Sequence, residues 1–196
     1  MKKIVLVAVV ATTFAASSAF AQGYIGFGVG SSRVSGVDLT VAPDSLTGGN
    51  SNKTSGKIFG GFKFTPNFGV EAQYSDLGTR NLVLTNGGVQ IGTGSLKLSQ
   101  LSIAATGTLP MASNFSLFGK LGVSRNSGKV NFSVPAAGFA ESDSGNKSGL
   151  MVGVGVLYDI TPIIAVRAEY EDFGKFNSSG NSIRANNFSV GVQYKF

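Results

Sequence analysis

From Gln22 onward the chain repeats one pattern: short stretches in which apolar and polar residues alternate with period two, joined by connections that are by turns long and polar, then short. Successive side chains on an extended strand point to opposite faces, so each stretch has one oily face and one polar face. No segment of helical period is long enough to compete, and the 28 glycines and absent tryptophan suit closely spaced strands. The chain reads as all-β.

Eight strands are expected. They run over about Gly23 to Arg33, Thr54 to Phe64, Phe68 to Leu77, Ser95 to Thr108, Phe115 to Arg125, Lys147 to Tyr158, Ile163 to Phe173 and Phe188 to Phe196. Tight connections fall at Thr65-Pro66-Asn67, at Pro110 to Asn114 and at Asp159 to Pro162, where proline presets φ and asparagine tolerates turn conformations. The long connections, Val34 to Lys53, Thr79 to Gly94, Asn126 to Asn146 and Lys175 to Asn186, are mostly rich in glycine, serine and asparagine. Within two of them Leu82 and Leu84, Val89 and Ile91, and Val130, Phe132 and Val134 still alternate, which predicts strands prolonged into a β-ribbon.

The N-terminus has a different purpose. Lys2 and Lys3 precede an apolar run from Ile4 to Ala11, and Ala19-Phe20-Ala21 forms an A-x-A cleavage site, so residues 1–21 read as an export signal and 22–196 as one mature domain. The apolar run falls short of the roughly twenty residues needed to span a bilayer as a helix. The formal net charge of +6, of which Lys2 and Lys3 belong to the leader, permits contact with anionic lipid head groups. An exported chain has little occasion to meet nucleic acid. With no cysteine, neither disulfides nor thiolate metal sites are available.

Two closed architectures fit: a soluble lipocalin-like barrel or sandwich with the apolar face inward, and a transmembrane barrel with the apolar face outward. Charge placement favours the second. The ionisable residues on the oily face, Arg33, Asp76, Lys97, Arg125 and Asp172, all sit at strand ends nearest a long connection, so the middle of that face is uncharged. Lys57, Lys63, Glu71, Lys120, Arg167, Glu169 and Glu171 share the glycine-bearing face. Aromatic residues cluster at strand ends: Phe64, Phe68, Phe115, Tyr158, Tyr194 and Phe196 near the short turns, Tyr74 and Tyr170 towards the other ends, as interfacial girdles require. The expected fold is an eight-stranded antiparallel up-and-down transmembrane β-barrel, its last strand pairing with the first near Tyr24 to Gly30.

One segment recurs. Gly69-Val70-Glu71-Ala72-Gln73-Tyr74-Ser75-Asp76-Leu77-Gly78 returns as Ala165-Val166-Arg167-Ala168-Glu169-Tyr170-Glu171-Asp172-Phe173-Gly174, each after a proline turn. With the terminal Gly191, Tyr194 and Phe196, this signature resembles the OmpA-like transmembrane-domain family of small outer-membrane barrels, which includes OmpX-type and opacity-type surface proteins. The resemblance implies a bacterial outer-membrane location, recognition of Gly191, Tyr194 and Phe196 by the barrel-assembly machinery, and contact with outer-membrane lipids and lipopolysaccharide. The peptidoglycan-binding domain of longer relatives is not expected here.

Histidine is absent, whereas lipid A deacylases and palmitoyltransferases, outer-membrane phospholipases and omptin-type proteases resemble one another in using one. No motif sets a serine beside Lys57, Lys63 or Lys120, and scattered Asp143, Asp159 and Asp172 lack metal-site spacing. Gly26, Gly28 and Gly30 lie within a strand with no following helix, so they make no phosphate loop. Catalysis, a cofactor and a metal are therefore not expected. Two roles remain for the inward charges: a salt-bridged plug in a narrow barrel, or the lining of an ion-selective pore. If the third short turn centres near Thr161, Arg167 faces Gly155 and Glu169 faces Gly153; about Pro66, Lys63 and Glu71 are diagonal neighbours. Phe59 and Phe118 fall on the same inward register, which favours the plug. A monomeric structural and surface-interaction protein, meeting host or neighbouring-cell molecules through its long connections, is expected, with a narrow low-conductance channel as the alternative.

Overall fold

The computed structural model describes residues 22–35, 38–41, 44–47, 52–86, 89–134, 139–178 and 181–196. The expected export signal, 1–21, lies outside these residues. Its strands are β1 (Gln22–Ser35), β2 (Asp38–Val41), β3 (Asp44–Thr47), β4 (Lys53–Lys63), β5 (Phe68–Asn86), β6 (Val89–Pro110), β7 (Phe115–Val134), β8 (Phe139–Asp159), β9 (Ile164–Ser178) and β10 (Asn181–Lys195). All pairings are antiparallel. Strands β1 and β4 to β10 form a closed eight-stranded barrel, because β5 pairs with both β4 and β6 and the ladder returns to its start. Closure leaves no sheet edge in the barrel wall, as hydrocarbon requires of backbone N–H and C=O groups.

The seam joins β10 to β1 from Tyr24↔Lys195 to Ser35↔Arg184, covering the stretch expected from the sequence. Gly23 and Phe196 finish it: the Gly23 N–H donates to the Phe196 carbonyl at 3.1 Å and the Phe196 N–H to the Gly23 carbonyl at 2.9 Å. The three short turns share one design. Phe64 and Thr65, Met111 and Ala112, and Ile160 and Thr161 each direct two N–H groups at the carbonyl of the next strand's first residue, Phe68, Phe115 or Ile164. In the first and third turns a threonine hydroxyl adds a 2.9 Å bond from the N–H of Phe68 or Ile164.

Both copies of the repeated segment end in a bulge. Gly78 (φ 84°) and Gly174 (φ 80°) occupy the left-handed region, which a side chain disfavours. Each donates its N–H to the carboxylate two residues earlier, Asp76 or Asp172, at 2.9 Å. The β5–β6 register slips between Asp76 and Thr79, and the β9–β10 register slips opposite, between Arg184 and Asn186.

The strands are prolonged into two of the long connections, as the alternation of Leu82 with Leu84, Val89 with Ile91, and Val130 with Phe132 and Val134 predicted. β5 runs to Asn86, β6 begins at Val89, β7 runs to Val134 and β8 begins at Phe139, so much of the expected loops 79–94 and 126–146 is strand. Glycine, serine and asparagine on both faces mask the period there. The small β2–β3 hairpin joins the same sheet through β3 and β5, giving the order β2-β3-β5-β6-β7-β8 beyond the barrel wall. The β8–β9 ladder ends at Val152↔Asp172, whereas the β7–β8 ladder continues to Val134↔Phe139.

The apolar face is outermost. Ile25, Phe27, Val29, Ile58, Leu101, Ile103, Leu121, Leu150 and Val154 are all more than half exposed, Leu150 at 68%. Tyr74 and Tyr170 at one level, and Phe64, Phe68, Phe115, Tyr158, Tyr194 and Phe196 at the other, are also exposed outward. No charged side chain of the described residues interrupts the band between them except at the strand ends, where Lys97 bridges Asp76 at 3.4 Å.

Candidate functional site

The inward positions carry the opposite chemistry. Six of the seven sequence-predicted charges, Lys57 on β4, Glu71 on β5, Lys120 on β7, and Arg167, Glu169 and Glu171 on β9, meet in one network and are at most 5% exposed. Three cations face three carboxylates. The Lys120 ammonium touches Glu71 (3.1 Å), Glu169 (2.9 Å) and Glu171 (2.6 Å) and also donates to the Gln73 amide oxygen (2.7 Å). Arg167 forks onto both Glu71 oxygens (2.6 and 3.0 Å) and onto Glu169 (2.7 Å), the bidentate geometry to which guanidinium is suited. Lys57 pairs with Glu169 and with Glu171, the latter at 3.3 Å.

Neutral groups complete the network. Tyr24 donates its phenolic hydrogen to Glu71 at 3.0 Å, and Asn187 donates an amide hydrogen to Glu171 at 3.4 Å while accepting from Ser55 at 2.6 Å. Lys63 does not join. It is half-buried at the short-turn end, where with Tyr24, Glu71, Arg167 and Gln193 it lines a void of about 10 Å³. That is barely one water's worth of space.

Apolar layers flank the charges. Towards the short turns, the Arg167 guanidinium lies between the rings of Phe59 (4.4 Å) and Phe118 (4.2 Å), and Phe118 packs with Leu157 and Ala165. Towards the long-loop end, Leu77, Met151 and Phe173 pack with Ala104 and Ala185 and are at most 2% exposed. Gln73 and Gln100 join the layers by pointing amide hydrogens at the Met151 sulfur.

The long inward side chains need glycines beside them. Gly153 lies opposite both Lys120 and Glu171, and Gly155 opposite Phe118 and Glu169. A Cβ on Gly155 would come within 2.6 Å of the Phe118 ring, and one on Gly26 within 2.3 Å of Phe59. The register expected across the third turn is therefore corrected by two residues: Glu169 faces Gly155, Glu171 faces Gly153, and Arg167 faces Leu157 on one side and Gly191 on the other. The turn centres on Pro162, the counterpart of Pro66, because the two turns are built alike. Aligning the two Thr-Pro pairs would have revealed this. About Pro66 the diagonal placement of Lys63 and Glu71 holds, but Glu71 pairs across the barrel with Lys120 and Arg167 instead.

Sequence reasoning missed the apolar layer at the long-loop end. Its signal was present in the repeat, since Leu77 and Phe173 are the positions at which inward polar residues give way to large apolar ones. Of the terminal residues, Gly191 lies in the seam opposite Gly28, and Tyr194 and Phe196 point outward and stack with ring centroids 6.4 Å apart.

Comparison with known proteins agrees with this construction. Residues 4–196 match the family described as outer membrane protein beta-barrel domain. Outer membrane protein A of Shigella flexneri is 32% identical over 151 residues, covering 74% of this chain and 41% of that protein, so the chain spans less than half of that relative's length. Among solved structures, Ail of Yersinia pestis, in complex with the heparin analogue sucrose octasulfate, covers 90% of this chain and 99% of its own at 20% identity and a TM-score of 0.57. OprG of Pseudomonas aeruginosa covers 91% and 96% at 17% identity and a TM-score of 0.58. With an oily exterior, a charged interior and a match along nearly its whole length, the chain belongs to the outer-membrane β-barrel family and is a bacterial outer-membrane protein.

Proposed function

We propose that this protein is a structural and surface-interaction component of the outer membrane, with a barrel closed to ions and a working surface on its extracellular sheet. The observation that carries this reading is the interior: six charges neutralise one another between two apolar layers, and the void beside Arg167 holds about 10 Å³. Side chains that fill an eight-stranded interior in this way support a barrel without a wide ion path. Neither catalysis nor a cofactor is part of this reading, because the buried carboxylates are all committed to cations and the chain has no histidine or cysteine. Residues 1–21 are removed on export, leaving 22–196 as the barrel, and Gly191, Tyr194 and Phe196 are read by the assembly machinery. The mature barrel is a monomer within its own membrane, bathed in phospholipid and lipopolysaccharide, and its extended strands meet host or neighbouring-cell molecules.

A narrow channel is the second reading. It is favoured by the inward hydroxyls of Ser75, Ser102 and Ser189 and the Gln193 amide oxygen, which have no hydrogen-bond partner among the described residues and would suit a thread of water.

Deletion of residues 127–143 tests the surface role. Asn126 pairs with Lys147, so Ser144, Gly145 and Asn146 remain to close a short hairpin and the barrel is untouched. Adhesion to host cells and serum survival are expected to fall; unchanged values in a normally folded variant would refute the surface role.

A further inference from the structure

The outward face of β6 and β7 changes chemistry in steps towards the long-loop end. Leu101 and Val123 are more than half exposed and close the apolar band, whereas Gln100, Ser102 and Ser124 beside them are buried. The β6–β7 register is unbroken through this region, so Ser99 and Lys97 follow Leu101 outward, and Arg125, Ser127 and Lys129 follow Val123. Three rows result. Tyr74, Leu101 and Arg125 share the first, Ser99 faces Ser127 in the second, and Lys97 faces Lys129 in the third.

These cations are poorly compensated. Lys97 reaches Asp76 at 3.4 Å, and among the described residues no carboxylate pairs with Arg125 or Lys129. Lys97 and Lys129 lie directly opposite, with Cβ atoms about 5 Å apart, where like charges are unfavourable unless an anion lies between them. The charge is also one-sided. On β5 and β9 the outward ionisable residues at this end are Asp76 and Asp172, and on β1 Arg33 donates to the Asn52 amide oxygen at 3.1 Å. Cations that merely snorkel from the apolar band would not need to be set side by side on two neighbouring strands.

Spacing narrows the ligand. Arg125 and Lys129 are four residues apart on one strand, about 13 Å, which strand tilt reduces to about 10 Å of height. The row between them is uncharged on β6 to β8: Ser99, Ser127 and Asn146, the Ser127 hydroxyl donating to the Asn146 amide oxygen at 2.6 Å. A cation level, a hydroxyl level and a second cation level above an apolar wall match a lipid whose sugar carries a phosphate at each end. Guanidinium forks onto phosphate oxygens, and ammonium groups meet them as point charges. Outer-membrane barrels turn their long connections to the outside, so this end lies in the outer leaflet. We infer that Arg125 and the pair Lys97 and Lys129 bind the two phosphates of a bisphosphorylated glycolipid of that leaflet, with its sugar against Ser99 and Ser127 and its acyl chains along Leu101, Ile103 and Val123. The site follows from the membrane location and is independent of the surface role proposed above.

The full chain in detergent micelles, titrated with bisphosphorylated lipid A and read by native mass spectrometry, tests it. Dephosphorylated lipid A, which keeps the sugar and acyl chains, and phosphatidylglycerol, which carries one phosphate and no sugar, are the comparison probes. Wild type is expected to bind bisphosphorylated lipid A about tenfold more tightly than either. R125Q and the double variant K97Q/K129Q should each lose about tenfold towards bisphosphorylated lipid A and leave dephosphorylated lipid A unchanged. R33Q, which removes a cation of the same end outside the site, should bind as wild type. Heat-modifiable gel migration identical to wild type establishes that each variant is folded. Equal binding of the three probes, wild-type binding by R125Q or by K97Q/K129Q, or an equal loss in R33Q overturns the site.

Discussion

Replacing Lys120 with methionine removes the hub of the interior while keeping its volume. Lys120 contacts all three carboxylates within 3.1 Å, yet none is left without a cation: Glu71 keeps Arg167, Glu169 keeps Arg167 and Lys57, and Glu171 keeps Lys57. What remains is one uncompensated negative charge shared among buried groups. Breaking a buried pair by removing one partner costs about 3–5 kcal/mol, and because each carboxylate keeps a cation the lower end, about 3 kcal/mol, is expected. The double variant K120M/E171Q restores neutrality and should be less destabilised than the sum of the two single variants by at least about 1 kcal/mol. Reversible urea unfolding in lipid vesicles, followed by gel migration of unheated samples, measures both quantities. Because the network is dry, high salt should leave the differences nearly unchanged. A K120M barrel within about 0.5 kcal/mol of wild type, with strictly additive E171Q, would refute a tightly coupled neutral network.

Other consequences are more local. Phe196→Ala removes a terminal ring that stacks on Tyr194 at the seam, and should lower outer-membrane levels of the protein well below wild type on immunoblots of membrane fractions; normal levels would contradict the assembly-signal reading. Gly78→Ala forces a side chain into φ 84° and its Cβ to 2.9 Å from the Thr54 carbonyl oxygen, so a loss of about 1–2 kcal/mol is expected in the same unfolding assay. Tyr24→Phe withdraws the 3.0 Å bond to Glu71, and a hydrogen bond to a charged partner is worth about 1.5–3 kcal/mol.

Much of this architecture was legible in the residues, and the boundary of what was legible has physical causes. The outward face could be assigned because hydrocarbon tolerates no charge in mid-strand, leaving Val70-Ala72-Tyr74 and Val166-Ala168-Tyr170 unbroken beside Glu71 and Arg167. That six inward charges meet could be expected from the cost of leaving any of them alone. Which carboxylate meets which cation could not, because it depends on barrel shear: Glu71 is a diagonal neighbour of Lys63 along the wall but reaches across the lumen to Lys120 and Arg167. The strand extensions were half-legible. Leu82 with Leu84 and Val130 with Phe132 kept a period, while the surrounding glycine and serine, solvated on both sides, carried none. The bulges at Gly78 and Gly174 had a visible cause, the Asp-x-Gly that ends each repeat, whose carboxylate receives the glycine N–H.

Single-molecule conductance of the purified protein in a planar lipid bilayer tests the central claim most directly, because it interrogates the charged layer between its two apolar neighbours. Wild-type barrels are expected to give no stable, ion-selective current. A stable selective conductance, abolished by changing Arg167 or Glu171, would contradict the closed interior and establish those charges as the lining of a pore.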